Sequence, residues 1–536
     1  MKRNIISSKK SATKATIEQP LTEEYKTAIR AASYLGKRGY TVPKSVLTEE
    51  DIAFLKKDLF LKPEIPGAAN YGPSQEATAF PVYRENDKKL YIPRFYGIDR
   101  YGGLPSRCEI APGIDIDVPF VKSLRDYQEN IVRAYLDATE KGPNGGILQI
   151  FTGAGKTVMA LNIVSKIAKK TLILVHKEFL LQQWIERIAE YLPSARVGKI
   201  QAQVLDIENK DIVIGMIQTL YNRTFPQEVY DQFGLLICDE VHHIASEQFS
   251  KTLLTCISAY TLGISATVKR KDGLTKLLHM FLGPMIYSMD RKKDDIVSVY
   301  GIEYRTGDAE FNEVELDYMG KPKYSTMISK ICDYIPRQLF IIRIIEDLVI
   351  KNPGAQMIIL GHNRSLLTAL YDGVKSKNFA SCGYYLGGMK QKDLKESEDK
   401  TVIVSTYAMA AEALDIPTLS ILVMVTSKTD IVQSVGRILR KKHENPLIVD
   451  IIDSHSIFQN QWTRRKTYYR KCNYRIRYIN SHQYNGSFDD ENWLKVYDPK
   501  MGAVIGDLTS ADRAEQAVDE IETQTIFGGK CMIDLG

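Results

Sequence analysis

The sequence predicts an α/β protein with two tandem parallel-sheet domains, a mixed region before them and a basic, aromatic extension after them. Three observations carry this. From about Phe120 onward, short apolar runs recur: ILQI at 147, TLILV at 171, DIVIGM at 211, LLICDE at 235 and TLGISAT at 261. Helical-length stretches separate most of them, and this alternation implies buried parallel strands covered on both faces. A second series, QMIILG at 356, TVIVST at 401, ILVMVT at 421 and LIVDII at 447, follows a polar stretch with Gly and Pro at 290–325, which sets a boundary near residue 300.

The 536 residues suffice for about three to four domains. Residues 1–20 read as a basic arm, expected to be disordered, whose composition also fits a transit peptide; no apolar core marks it as a secretory signal. Residues 21–119 form an accessory region, 120–300 and 301–455 the two α/β domains, and 456–536 the extension. In the accessory region a helix is expected to start near Thr48, with Glu49 and Glu50 in its first turn. FPVYRENDKKLYIPRFYG reads as two short strands around a polar turn. The composition, 44% apolar and 25% charged, is that of a globular protein. A net charge of +6 argues only weakly for an anionic partner. Seven cysteines, none at metal-clip spacing, exclude a zinc ribbon or disulfide scaffold and fit a reducing intracellular compartment. No apolar run reaches membrane-spanning length, so no membrane partner is expected.

Two motifs carry chemistry. TGAGKT at 152–157 lies between the ILQI strand and the helical stretch VMALNIVSKIAKK. Thr152, Gly153, Ala154 and Gly155 would let backbone N–H groups approach phosphates at a helix N-terminus. Lys156 would reach the β- and γ-phosphates of ATP, and the Thr157 hydroxyl would ligate Mg²⁺. LLICDEVHH at 235–243 ends a strand with two carboxylates. Asp239 would hold Mg²⁺ and Glu240 would orient and deprotonate the attacking water, because phosphoryl transfer needs positioning and charge neutralisation. The bland alternatives are a glycine-rich turn and a solvated acidic strand end. Zinc on the adjacent histidines is disfavoured.

At this point the chain resembles the superfamily-two helicases of the D-E-x-H class, read here as Asp239-Glu240-Val241-His242. The general P-loop pattern wants a glycine where Ile150 stands, and the T-G-x-G-K-T form is the helicase one. The remaining family motifs follow in order over residues 120–455. LRDYQ at 124–128 resembles the adenine-sensing segment, implying that Gln128 reads the base and Arg125 supports it. TLILVHKEFLLQQW from 171 and IGMIQTL at 214–220 resemble motifs Ia and Ib, and SAT at 265–267 resembles motif III. TYAMAAEALDIP at 406–417 resembles motif V, with Ala413 where many members have glycine. QSVGRILR at 433–440 resembles motif VI. The resemblance implies RecA-like domains, ATP and Mg²⁺ as cofactors, and hydrolysis coupled to movement on nucleic acid. It assigns coupling to His242, Ser265, Thr267 and Asp415, and strand contacts to Gln218, Thr219 and Thr406. Gln433, Arg437 and Arg440 share one helical face by spacing, and the two arginines would reach the γ-phosphate as arginine fingers.

The basic loop KRKDG at 269–273, with Lys269 and Arg270 as further strand contacts, is similar to the group around the translocase XPB. Within it, the chain looks most like helicases of large DNA viruses, the poxvirus transcript-release type among them. That implies DNA as the favoured track with RNA as the alternative. It also implies a role in transcription, transcript release or repair, with RNA polymerase or other transcription components as partners and the host cytoplasm, nucleus or virion as location. A duplex-DNA translocase without strand separation is the rival reading. In the extension, WTRRKTYYRKCNYRIRY at 462–478 interleaves seven basic residues with aromatics. It fits both a nucleic-acid contact and a helix whose aromatics pack on the motor.

Overall fold

The computed structural model describes residues 21–63, 78–151, 153–240, 246–266, 275–289, 297–318, 320, 322–412, 414, 416–429, 431–439, 443, 445–489 and 491–499, apart from the side chains of Ser246, Ala411, Glu412 and Gln433. Thr152, His242, Thr267, Lys269, Arg270, Ala413, Asp415, Arg440 and the basic arm lie outside the described residues. Two compact units divide the chain, one of residues up to Ile150 with Lys156–Ser288, the other of Phe151–Gly155 with Met289 onward.

In the first unit an eight-stranded sheet runs in the order Val204–Asp206, Val197–Gln201, Ile212–Met216, Thr171–Val175, Leu235–Asp239, Tyr260–Ser265, Gly145–Ile150, Met285–Met289. The pairs from Val197–Gln201 to Gly145–Ile150 are all parallel, and Val204–Asp206 is added antiparallel. Every residue of Thr171–Val175 and Leu235–Asp239 is buried, which is why these strands read as unbroken apolar runs. Val197–Gln201 was not legible, because its buried and half-buried residues alternate through polar positions.

The accessory region packs on this unit. Its five-stranded sheet contains the expected hairpin, Arg84–Glu85 against Lys89–Ile92. The expected helix is Glu49–Asp58, capped by Thr48, whose hydroxyl accepts from Asp51 N at 3.1 Å. Asp51 then takes Arg100 Nη2 at 2.5 Å and the Tyr25 and Tyr101 hydroxyls at 3.1 and 3.0 Å. Buried Arg94 fastens the region to the first α/β domain, donating to the carbonyls of Ala259 at 2.9 Å and Pro143 at 2.5 Å. The connecting segment crosses so near the sheet that a Cβ on Gly113 (φ +74°) would stand 2.1 Å from Gly234 N.

In the second unit the order is Cys382–Tyr385, Val402–Thr406, Gln356–Gly361, Leu419–Met424, Leu447–Asp453, Ser298–Tyr304, Arg475–Asn480, Leu494–Tyr497. All pairs are parallel except the last. The extension therefore contributes two strands to this sheet, preceded by the helix Ser456–Lys471. Two buried ion pairs lock helices to it. Arg337, at the start of Ile335–Lys351, donates to Asp453 at 2.6 and 2.9 Å and to the Val425 carbonyl at 2.8 Å. Arg465 donates to both oxygens of Asp450 and to Ser427 Oγ at 2.9 Å. Phe458, Trp462 and Tyr469 sit on the buried face of the Ser456–Lys471 helix. Among the described residues, no helix is long and apolar enough to cross a membrane.

Candidate nucleotide-hydrolysis site

The strand Gly145–Ile150 leads through the glycine loop into the helix Lys156–Ile167. Gly153 (φ +93°) and Gly155 (φ +86°) adopt left-handed backbone that other residues rarely take, so the loop turns where a P-loop needs its backbone N–H groups. Lys156 Nζ donates to Glu240 Oε1 at 2.5 Å, with side-chain exposures of 11% and 21%. Glu240 itself has φ +46°, a strained value for a residue with a Cβ, and its N–H donates to the Ile264 carbonyl at 3.0 Å. The turn thus lifts Glu240 off the end of the strand Leu235–Asp239.

Asp239, the last residue of that strand, is 6% exposed. Trp184 Nε1 donates to its Oδ2 at 2.9 Å. Burial, then the neighbouring Glu240 carboxylate, pushes the Asp239 pKa up to about 6 against the opposing pull of Lys156 and the Trp184 N–H. A buried acid next to a second acid and a lysine suits a divalent cation, which would supply the positive charge that the desolvated carboxylate lacks. Thr157, half-buried on the first turn of its helix, offers a hydroxyl of the right chemistry.

The other expected residues take these places. Gln128 is buried and its Oε1 accepts from Arg125 N at 3.0 Å, so it caps the helix Asp126–Lys141. Gln218 Nε2 donates to the His176 carbonyl at 2.8 Å, tying the Ib segment to the Ia segment. Thr219 is buried and its hydroxyl accepts from Ala202 N at 2.9 Å. Ser265 is buried at the end of Tyr260–Ser265. In the second unit, Thr406 ends the strand Val402–Thr406, and its hydroxyl accepts from Met409 N at 3.3 Å. Gln433 and Arg437 both fall within the helix Val432–Arg437. Arg437 is 6% exposed and donates to the Leu414 carbonyl at 2.7 Å.

Sequence reasoning missed Trp184 as a partner of Asp239. The only signal for it was an indole on the buried face of Glu178–Tyr191, where a ring N–H needs an acceptor. The sequence left the basic run open between a phosphate contact and a solvated face, and Arg465 takes neither place, since it is 1% exposed and paired with Asp450. Trp462, Tyr469 and Tyr474 are buried too, so these rings serve packing.

A glycine-loop lysine joined to an Asp-Glu pair at the end of a parallel strand defines a P-loop nucleotide hydrolase. The family model of the type III restriction enzyme res subunit matches residues 121–270. A protein of Acanthamoeba polyphaga mimivirus, whose name describes an ATP-dependent RNA helicase, is 33% identical over 457 residues, covering 82% of this chain and 85% of its own. The DNA 3'-5' translocase XPB2 of Sulfurisphaera tokodaii is 27% identical over 400 residues, 65% of this chain and 87% of its own. An African swine fever virus protein, likewise named for an ATP-dependent RNA helicase, is 24% identical over 521 residues, 88% of this chain and 96% of its own. The chain belongs to the ATP-dependent superfamily-two helicases, in the branch that large DNA viruses carry. It is an ATP-hydrolysing helicase or translocase acting on nucleic acid.

Proposed function

We propose that the protein couples hydrolysis of Mg·ATP to movement along DNA. The observation that carries this reading is the contact of Lys156 Nζ with Glu240 Oε1, one residue from the buried Asp239. In this reading Lys156 binds the β- and γ-phosphates and Thr157 and Asp239 hold Mg²⁺. The ion neutralises phosphate charge when bound. Glu240 takes the proton of the attacking water, and its lysine partner is the group that incoming phosphates would draw away. Gly153, Ala154 and Gly155 cradle phosphate, and Gln128 with Arg125 reads the base. Gln433, Arg437 and Arg440 act on the transferring phosphate. His242, Ser265, Thr267 and Asp415 couple the halves, while Gln218, Thr219, Thr406, Lys269 and Arg270 contact the strand.

The kinship with a named DNA translocase supports DNA, and equally supports translocation without strand separation. The two viral relatives named for RNA keep RNA as the other arm. A place in transcription, with RNA polymerase as partner and an intracellular site of action, rests on the resemblance to the transcript-release type. ATP turnover measured with single-stranded DNA, duplex DNA and RNA as stimulators tests the proposal. The strongest stimulation should come from DNA. Stimulation by RNA alone would overturn the DNA assignment. Displacement of a labelled strand then separates unwinding from translocation.

A further inference from the structure

Trp184 belongs to the helix Glu178–Tyr191, whose buried positions Leu180, Leu181, Trp184 and Ile188 recur at helical spacing. That helix follows the strand Thr171–Val175, which pairs in parallel with Leu235–Asp239. The connection carries the indole to the end of the acidic strand. There Trp184, 2% exposed, places its only polar side-chain atom 2.9 Å from Asp239 Oδ2. A leucine or phenylalanine would fill the same helix face. What the indole adds is one fixed donor, and it takes one of the two oxygens of a carboxylate that is 6% exposed. With one oxygen tied and the ring held by packing, the Asp239 carboxylate has a single orientation. A carboxylate left to rotate would lose that preorganisation.

We infer that Trp184 is a positioning residue for the metal site, its indole N–H fixing the Asp239 carboxylate in the orientation that receives the divalent cation of the nucleotide complex. The inference rests on the reading of Asp239 as the metal-holding acid. Partners of this outer kind typically change metal affinity by about 10- to 100-fold when removed.

The test uses the full chain and Mn²⁺ as the probe, with binding of Mn·ADP followed by the loss of the free-ion electron paramagnetic resonance signal. Two replacements remove the donor. Trp184→Phe keeps an aromatic ring, and β-(3-benzothienyl)alanine at position 184 keeps the bicyclic shape with sulfur in place of N–H. Binding of ADP without metal is measured alongside, as is the melting temperature. The expected result is Mn·ADP affinity weakened about tenfold or more by both replacements, with metal-free ADP binding unchanged. The shape-preserving replacement should melt as the wild type does. Unchanged Mn·ADP affinity in both proteins, with Asp239→Asn losing it, would overturn the inference alone and leave Trp184 as core packing. Wild-type Mn·ADP affinity in Asp239→Asn would overturn the metal reading of Asp239 and the inference with it.

Discussion

Arg465 closes two hydrogen bonds onto Asp450, Nε to Oδ2 at 2.6 Å and Nη2 to Oδ1 at 2.9 Å, and both side chains are 1% exposed. Tyr469 adds its hydroxyl to the same carboxylate at 3.2 Å. Asp450 lies in a central strand of the second sheet, so this pair fastens the helix Ser456–Lys471 onto it. Arg465→Ala would leave Asp450 buried without its countercharge. It should cost about 3–5 kcal/mol, seen as a lowered unfolding transition. Arg464→Ala, one residue away and exposed, should stay within about 0.5 kcal/mol. Equal effects of the two would show that the pair does not anchor the helix.

The two sheets were legible where strands are buried on both faces. Each apolar run named from the sequence is a strand in the structure, from Gly145–Ile150 to Leu447–Asp453. Strands with polar or aromatic residues were not. Ser298–Tyr304 lies in what reads as interdomain linker, because Tyr300, Gly301 and Glu303 break its apolar run, yet Glu303 is buried with Tyr478 donating to it. Arg475–Asn480 hid in the basic run for the same reason. Lys156 after the glycine loop and Asp239 and Glu240 at the end of a strand could be named as candidates because phosphate chemistry asks for those residue types there, and the structure brings Lys156 and Glu240 together. Trp184, Arg337 and Arg465 could not be named, since their roles depend on partners 55, 116 and 15 positions away.

The extension still offers charge to a phosphate backbone. Arg464 and Lys471 are exposed and Lys466 is half-buried, whereas Arg465 is consumed within the fold. Changing Arg464, Lys466 and Lys471 together to Gln should weaken nucleic-acid binding. The slope of log K against log salt should become shallower by about 0.7–0.9 for each phosphate no longer neutralised. An unchanged slope would mean that this face meets only solvent.

Arg437, buried on its short helix, donates to the Leu414 carbonyl. If it acts on charge that develops only during phosphoryl transfer, Arg437→Ala should lower kcat at least about tenfold more than it lowers nucleotide affinity. Steady-state kinetics beside nucleotide titration decide this. Equal losses would assign Arg437 to ground-state binding, and a large fall in melting temperature would assign it to the fold.

Lys156→Ala removes the cation that meets Glu240. Turnover should fall by about 10²–10³-fold, while nucleic-acid affinity without nucleotide stays close to wild type. Loss of nucleic-acid binding would place Lys156 among the residues that grip the track instead.

In the proposed mechanism Glu240, held by Lys156 beside Asp239, activates the water that attacks ATP. Glu240→Gln keeps the size and polarity of the side chain and removes the base. Binding of Mg·ATP and single-turnover hydrolysis, measured on this one variant, separate the role of base from that of nucleotide binding. Nucleotide affinity should stay near wild type and hydrolysis should slow by about 10²-fold or more. Hydrolysis within about a factor of two of wild type would contradict the role of base, since removing a general base typically costs at least about 10²-fold.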